Sequence, residues 1–199
     1  MVSTQITQEQ IDEAVAVLKK GGVVVFPTET AYGLAADATN EDAVEKVRMI
    51  KGRDKEQALP LIAFDHAMIE EVAGVPAKLQ PLTQLHWPGA LTLILPVIGD
   101  SLALGVVKNE TIAIRISSHP VARALSEGLG SPIVSTSANR NGEPACYSTD
   151  SVRAQFEYQE TKPDFYLDTG ELAAELPSTI VGIDDYGYPE VLRQGSIEI

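Results

Sequence analysis

Apolar positions recur along the 199-residue chain with two spacings. Over 7–20 they fall at Ile11, Ala14, Val15 and Leu18, the spacing of one helix face. Thr7, with Gln10 three residues on, predicts a capping box, and Gly21-Gly22 predicts the helix end. Val23–Phe26 is a continuous apolar run closed by Pro27, which predicts a buried strand followed by the polar loop TETAYG. A second helix is predicted from Thr39 or Asn40, burying Ala43, Val44, Val47 and Ile50 and stopping at Gly52. Further helices are predicted near 66–73, 77–86, 120–128 and 150–157. Strands are predicted at 59–64, 91–96, 111–116, 132–136, 164–168, 178–183 and 190–193. Helices and strands interleaved in this way predict an α/β fold with a mixed sheet. The sequence holds no internal repeat and no long polar linker, so 1–199 reads as a single domain with one sizeable core.

Charge sharpens this outline. The formal net charge is −13, and residues 150–199 alone hold 11 acids and 3 bases. Nucleic-acid affinity depends on neutralising phosphates, so a chain this acidic is a poor general RNA or DNA binder. Residues 46–55 (KVRMIKGRDK) run against the trend with five bases in ten positions. Such a cluster is either a solvated helix face or a site for a small polyphosphate. The polar N-terminus shows no secretory signal, no apolar run is long enough to span a bilayer, and the one cysteine, Cys146, can form no internal disulfide. A cytoplasmic protein is the expectation.

Four polar segments stand just beyond predicted elements, where α/β folds place ligand contacts. They are Thr28–Gly33, Lys51-Gly52-Arg53, Arg115, and Ser135-Thr136-Ser137-Ala138-Asn139. Each has a plain structural reading as well: loop, solvated helix end, surface ion pair, or a turn capping its own backbone. Neither phosphate-binding glycine loop is present, nor a GxSxG nucleophile elbow. His66, His86 and His119 lack the spacing of a zinc site, and Cys146 has no base near it in sequence.

Together, the stretches FPTETAYGL (26–34), KGR (51–53), WPGALT (87–92), IAIRISSHP (112–120), STSANRNGEP (135–144), PSTIV (177–181) and RQG (193–195) resemble, in order, the YrdC/Sua5 family of threonylcarbamoyl-AMP synthases. The resemblance spans nearly the whole chain. It implies a YrdC-like domain, a twisted mixed β-sheet with flanking helices and a deep concave cleft, in the short stand-alone form. The implied reaction joins L-threonine, bicarbonate or CO2, and ATP into threonylcarbamoyl-AMP with release of pyrophosphate. Other proteins would then transfer the threonylcarbamoyl group to tRNA, and direct tRNA binding is disfavoured by the charge. A non-catalytic nucleotide- or RNA-binding module of the same family is the alternative. Carbamoyl-adenylate formation, as in hydrogenase-maturation proteins, ranks lower because those chains carry segments absent here.

By the same resemblance, Lys51, Arg53, Ser137 and Asn139 are the expected catalytic and ATP-binding residues, joined by Arg193 at the nucleotide. Phosphoryl chemistry of this kind wants fixed cations and hydrogen-bond donors more than a protein nucleophile. Thr28, Tyr32, Arg115, Ser135 and Ser178 are expected around threonine, with Thr179 possible beside them and Arg115 taking the carboxylate. Glu29 would orient a cation or a water. Mg2+ is expected, held mainly through phosphates and water rather than by protein ligands. Trp87 is read as a packing residue, so WPGALT is treated as a fold signature. Asp54 and Phe64 stand where many relatives carry a proline and a histidine.

Overall fold

The computed structural model describes residues 5–53 and 57–199, so Asp54 lies outside the described residues. Helix α1 (Gln8–Lys19) carries the expected reciprocal capping box between Thr7 and Gln10 and buries Ile11, Ala14, Val15 and Leu18. Strand β1 (Val24–Pro27) follows and is buried at every position. The polar loop is shorter than expected. Tyr32-Gly33-Leu34-Ala35 is itself apolar enough to form β2 (Tyr32–Ala35), which folds back antiparallel on β1 with Pro27 opposite Tyr32 and Val24 opposite Ala35. Helix α2 (Glu41–Lys51) starts on the Asn40 side chain and stops at Gly52, which adopts the left-handed conformation (φ 62°).

The middle of the chain contributes β3 (Leu61–Ala63), α3 (His66–Val72), α4 (Gln80–His86), β4 (Leu91–Pro96), β5 (Thr111–Ile116) and α5 (Pro120–Leu129). The segment expected as one strand over 132–136 is two: β6 (Ile133–Val134) and β7 (Thr136–Ser137). Helix α6 (Thr149–Phe156), β8 (Phe165–Tyr166), β9 (Thr179–Ile183) and β10 (Pro189–Arg193) complete the order.

These strands are shared between two mixed sheets where one was expected. One is ordered β7-β2-β1-β8 and the other β10-β9-β4-β5-β3-β6. Parallel pairs β1–β8, β3–β5 and β4–β9 sit among antiparallel neighbours. The division explains why 132–136 could not remain one strand. Ile133 and Val134 pair with Ile62 and Leu61 in the larger sheet, whereas Thr136 and Ser137 pair with Leu34 and Gly33 in the smaller. Between them, the Ser135 amide donates to the Pro60 carbonyl (2.7 Å).

Two apolar clusters account for the flanking helices. Val24 and Phe26 of β1 point toward Ile62, Ile133 and the buried faces of α1 and α5, while Val25, Tyr32 and Leu34 join the larger core with α2. A strand buried on both faces reads as a continuous apolar run, as VVVF does. Trp87 packs as expected, with its indole N–H donating to the Leu91 carbonyl (2.7 Å).

The β9–β10 hairpin returns the chain so that Gly195 lies directly on the backbone that enters β9. A Cβ at Gly195 would collide with the Pro177 carbonyl and the backbone of Ser178 and Thr179. Gly195→Ala should therefore lower the unfolding free energy by about 1–3 kcal/mol. Gly74→Ala, whose added Cβ meets Ile98 at an ordinary 3.8 Å, should change it by no more than roughly 0.5 kcal/mol. Denaturant midpoints of the two variants against wild type make the comparison.

Candidate functional site

A cavity of about 300 Å3 opens where the two sheets meet. Its walls come from the 28–31 turn, Arg53 just beyond α2, the β6–β7 crossing, the larger sheet at Thr92, Arg115 and Arg193, and Ser178 just before β9. Of the expected site residues, Thr28, Tyr32, Arg53, Arg115, Ser135, Ser137, Ser178 and Arg193 all line it.

Lys51 and Asn139 do not; they stand behind the wall. The Lys51 ammonium is 5% exposed and donates to the Ser137 carbonyl (2.5 Å), the Asn139 carbonyl (2.9 Å) and Asn139 Oδ1 (3.2 Å). Burial above all, and then the neighbouring Arg53, lowers its pKa to about 8. Asn139 Oδ1 also accepts from the Ser137 hydroxyl (2.5 Å), and its Nδ2 donates to the Arg140 (3.0 Å) and Glu143 (2.5 Å) carbonyls. Donors on one side and carbonyls on the other fix the orientation of this amide. Ser137 and Asn139 were expected to present donors to a ligand. Their hydrogens are instead used within the segment, which leaves the exposed Ser137 oxygen as an acceptor.

Lys55 lies outside the described residues, and the four described bases of the run form neither a solvated face nor one continuous phosphate patch. Lys46 pairs with Asp164 (2.7 Å), Arg48 is buried and donates to the Gly105 (2.8 Å) and Gln57 (3.2 Å) carbonyls, and Lys51 is held as above. Arg53 reaches the cavity, where it donates to Gln57 Oε1 (3.1 Å) and approaches the Thr136 hydroxyl (3.4 Å). Burial, followed by the charge of Arg48, lowers its pKa.

The larger sheet supplies a second set of cations. Arg115, 7% exposed on β5, forms an ion pair with Glu29, and the Glu29 carboxylate accepts from the Ser117 hydroxyl (2.5 Å). Burial, then the charge of Arg193, brings the Arg115 pKa down to about 10, so it remains a cation at neutral pH. Arg193 grips Ser178 with three bonds, to its carbonyl (3.1 and 2.8 Å) and to its hydroxyl (3.0 Å). Arg193 thus stands beside Ser178, near enough to Arg115 for the two charges to interact.

Two hydroxyls of expected ligands face protein. Thr28 Oγ1 donates to the Ala31 carbonyl (2.7 Å) and closes the 28–31 turn. The Tyr32 hydroxyl donates to the Gly170 carbonyl (2.8 Å) and accepts the Thr169 amide (3.0 Å), so the ring body forms the wall and the oxygen holds the 168–170 loop. Burial chiefly raises the Tyr32 pKa. Thr179 is fully buried, its hydroxyl tied to Ile197 and Gly195. The Cys146 thiol is buried, which raises its pKa and suits the expected unreactive role. Phe64 is not among the cavity residues. Sequence reasoning missed Thr92, Thr30 and Ser117. Thr92 was set aside with WPGALT as a fold signature, although a threonine at a predicted buried strand position was itself a signal of a polar partner.

Among the described residues no group of three His, Cys, Asp or Glu forms a metal site, and no helix is long and apolar enough to cross a membrane.

A sequence model of the Sua5/YciO/YrdC family, described as "Telomere recombination", matches residues 16–195. A Bacillus subtilis (strain 168) protein named threonylcarbamoyl-AMP synthase is 39% identical over 190 residues, covering 94% of this chain and 54% of its own. A protein of the same name from Saccharophagus degradans is 39% identical over 151 residues, covering 74% and 78%. Among solved structures, P. abyssi Sua5 complexed with L-threonine superposes with a TM-score of 0.87 at 32% identity, covering 98% of this chain and 57% of that one. The chain thus spans little more than half the length of the B. subtilis and P. abyssi proteins.

The Lys51 environment has a measurable consequence. Unfolded lysine titrates near 10.5 and Lys51 near 8, so between these values the unfolded chain binds more protons and rising pH favours the folded state. The burial penalty is full below pH 8 and is relieved from there to pH 10.5. In Lys51→Met this dependence is removed. The stability of wild type relative to the variant should rise by on the order of 1 kcal/mol per pH unit across the window. Denaturant titrations at pH 7.5, 8.5 and 9.5 read it, and a constant difference would refute the buried, shifted lysine.

Proposed function

The chain belongs to the Sua5/YciO/YrdC family, and from that premise we propose that it is a nucleotidyltransferase making threonylcarbamoyl-AMP from L-threonine, bicarbonate or CO2, and ATP. The observation that carries this reading is a single cavity served by two separately held sets of cations. Arg115 and Arg193 belong to the larger sheet, and Arg53 leans on Thr136 of the smaller one. Two anionic substrates that must meet call for such a pair. The names of the two bacterial relatives and the threonine bound to P. abyssi Sua5 support the same assignment.

In the proposed sequence, the amino group of threonine adds to CO2 and loses a proton, giving a carbamate. A carbamate oxygen attacks the α-phosphorus of ATP, and the bond to the bridging oxygen breaks to release pyrophosphate. Arg115 takes the threonine carboxylate. Its buried pairing with Glu29 keeps the guanidinium oriented, and the planar fork can hold two oxygens at once. Arg53 takes phosphate charge that grows in the transition state, in a partly desolvated site where a cation is worth more than in water. Arg193 serves the nucleotide on the side nearer Arg115. Lys51 and Asn139 act through the segment they hold, which makes them positioning residues, while Ser135 and Ser178 line the threonine side.

Mg2+ fits this donor set as a companion of the phosphates. The Ser137 oxygen, its hydrogen already given to Asn139, is free to face a cation or its water, and the Glu29 carboxylate is occupied by Arg115 and Ser117. The ion would supply charge neutralisation on the phosphates. The labile product would pass to proteins that transfer the group to tRNA in the cytoplasm. Direct tRNA binding by this chain is disfavoured by its −13 charge.

Purified protein given L-threonine, bicarbonate, ATP and Mg2+ should yield threonylcarbamoyl-AMP and pyrophosphate by mass spectrometry. Its absence under conditions that preserve the product would overturn the proposal. Arg53→Ala should lower kcat by more than about tenfold. Arg115→Ala should raise the KM for L-threonine by about tenfold or more, since it removes a charge-assisted hydrogen bond. Steady-state kinetics with each substrate varied in turn separate the two effects.

A further inference from the structure

Thr92 lines the cavity at 3% exposure and is used by none of the steps above. It lies on β4, opposite Ile180 of β9, and its hydroxyl stands 2.9 Å from that of Ser178. We propose that Thr92 is a positioning residue for the amino-acid substrate: it turns the Ser178 hydroxyl into a donor aimed at an anionic carboxylate or carbamate oxygen beside Arg115. This rests on the reading of the cavity as a threonine site.

The inference follows from counting hydrogens. A hydroxyl has one hydrogen to give and two lone pairs to accept with. The Arg193 guanidinium can only donate, and it occupies one lone pair of Ser178 Oγ (3.0 Å). Two hydrogens then remain on Thr92 and Ser178. One lies between the two oxygens, and the other has no acceptor among the described residues of the wall. Ser178 is the hydrogen-bond partner of Thr92 among the described residues, and of the two side chains it is the more exposed. With Thr92 donating, both lone pairs of Ser178 are filled and the free hydrogen is the one on Ser178, facing the cavity. A hydroxyl held in this state accepts nothing further, so it disfavours an ammonium and favours an anionic oxygen. Without the Thr92 hydroxyl, Ser178 regains a lone pair and its hydrogen loses a fixed direction.

Thr92→Val keeps the shape and removes the hydroxyl; Thr92→Ser keeps the hydroxyl. In the synthase assay, Thr92→Val should raise the KM for L-threonine by about tenfold, the worth of a directed hydrogen bond to a charged group. The KM for ATP should stay within about twofold, and Thr92→Ser should restore the wild-type value. In a Ser178→Ala background, Thr92→Val should add no further loss, because Ser178 is the group through which it acts. Titration calorimetry with L-threonine measures the same differences without turnover. If wild type makes no product, the synthase reading falls. If wild type is active, any of three results overturns the role of Thr92: an unchanged threonine KM in Thr92→Val, a shift in the ATP KM instead, or equal impairment of Thr92→Ser, which would mark a packing role.

Discussion

The buried ammonium of Lys51 ties the end of α2 to the segment at and just beyond β7, where the chain has crossed from one sheet to the other. Three oxygens of Ser137 and Asn139 surround it. This contact sits where the chain leaves the larger sheet at Val134 and enters the smaller one at Thr136. A buried charge is tolerated when its hydrogens are matched, and removing the cation would leave two carbonyls and an amide oxygen facing an apolar gap. Such an unmatched group costs roughly 1–3 kcal/mol, so the crossing is held closely in place. Strand pairing sets where the sheets part, and the lysine holds the segment that follows, whose Ser137 lines the cavity.

The remaining charged groups follow from that placement. With the crossing fixed, Arg53 faces Thr136 from one side, while β5 presents Arg115 from the other. Arg115 is almost fully buried and keeps its charge through Glu29, itself steadied by Ser117. A guanidinium fixed in this way has little orientation left to lose when an anion arrives. In the proposed reaction, the contribution of Glu29 to binding would therefore be one of preorganisation, and it would partly offset the Arg115 charge in doing so.

Much of the fold was legible because its signals are local. The Thr7 capping box, the Gly52 stop and the apolar face of α2 depend on neighbours a few residues away. The second sheet was not legible, because membership of a strand in one sheet or another depends on partners distant in the chain. Thus 132–136 read as one strand, and Tyr32-Gly33 read as loop although Tyr32 pairs with Pro27. Residue types in the site were legible through motif order, but directions were not. Nothing local says that the Tyr32 hydroxyl turns to Gly170, that the Asn139 amide is fully used inside its own segment, or that Thr92 meets Ser178 across two strands.

The acidic composition and the anionic substrates proposed for the cavity are compatible once distance is considered. Many of the acids in 150–199 are exposed, and at physiological salt their fields fade over about 8 Å. Of the cations that line the cavity, Arg115 is 7% exposed and Arg53 is partly buried, where salt screens attraction less than it does outside. An approaching polyanion would therefore meet repulsion that is screened outside and attraction that is less screened within. The same arrangement separates a small anion from a long one. A small polyanion such as the proposed nucleotide would bring its charge into the cavity, whereas an RNA backbone would leave most of its phosphates outside it, on an acidic chain.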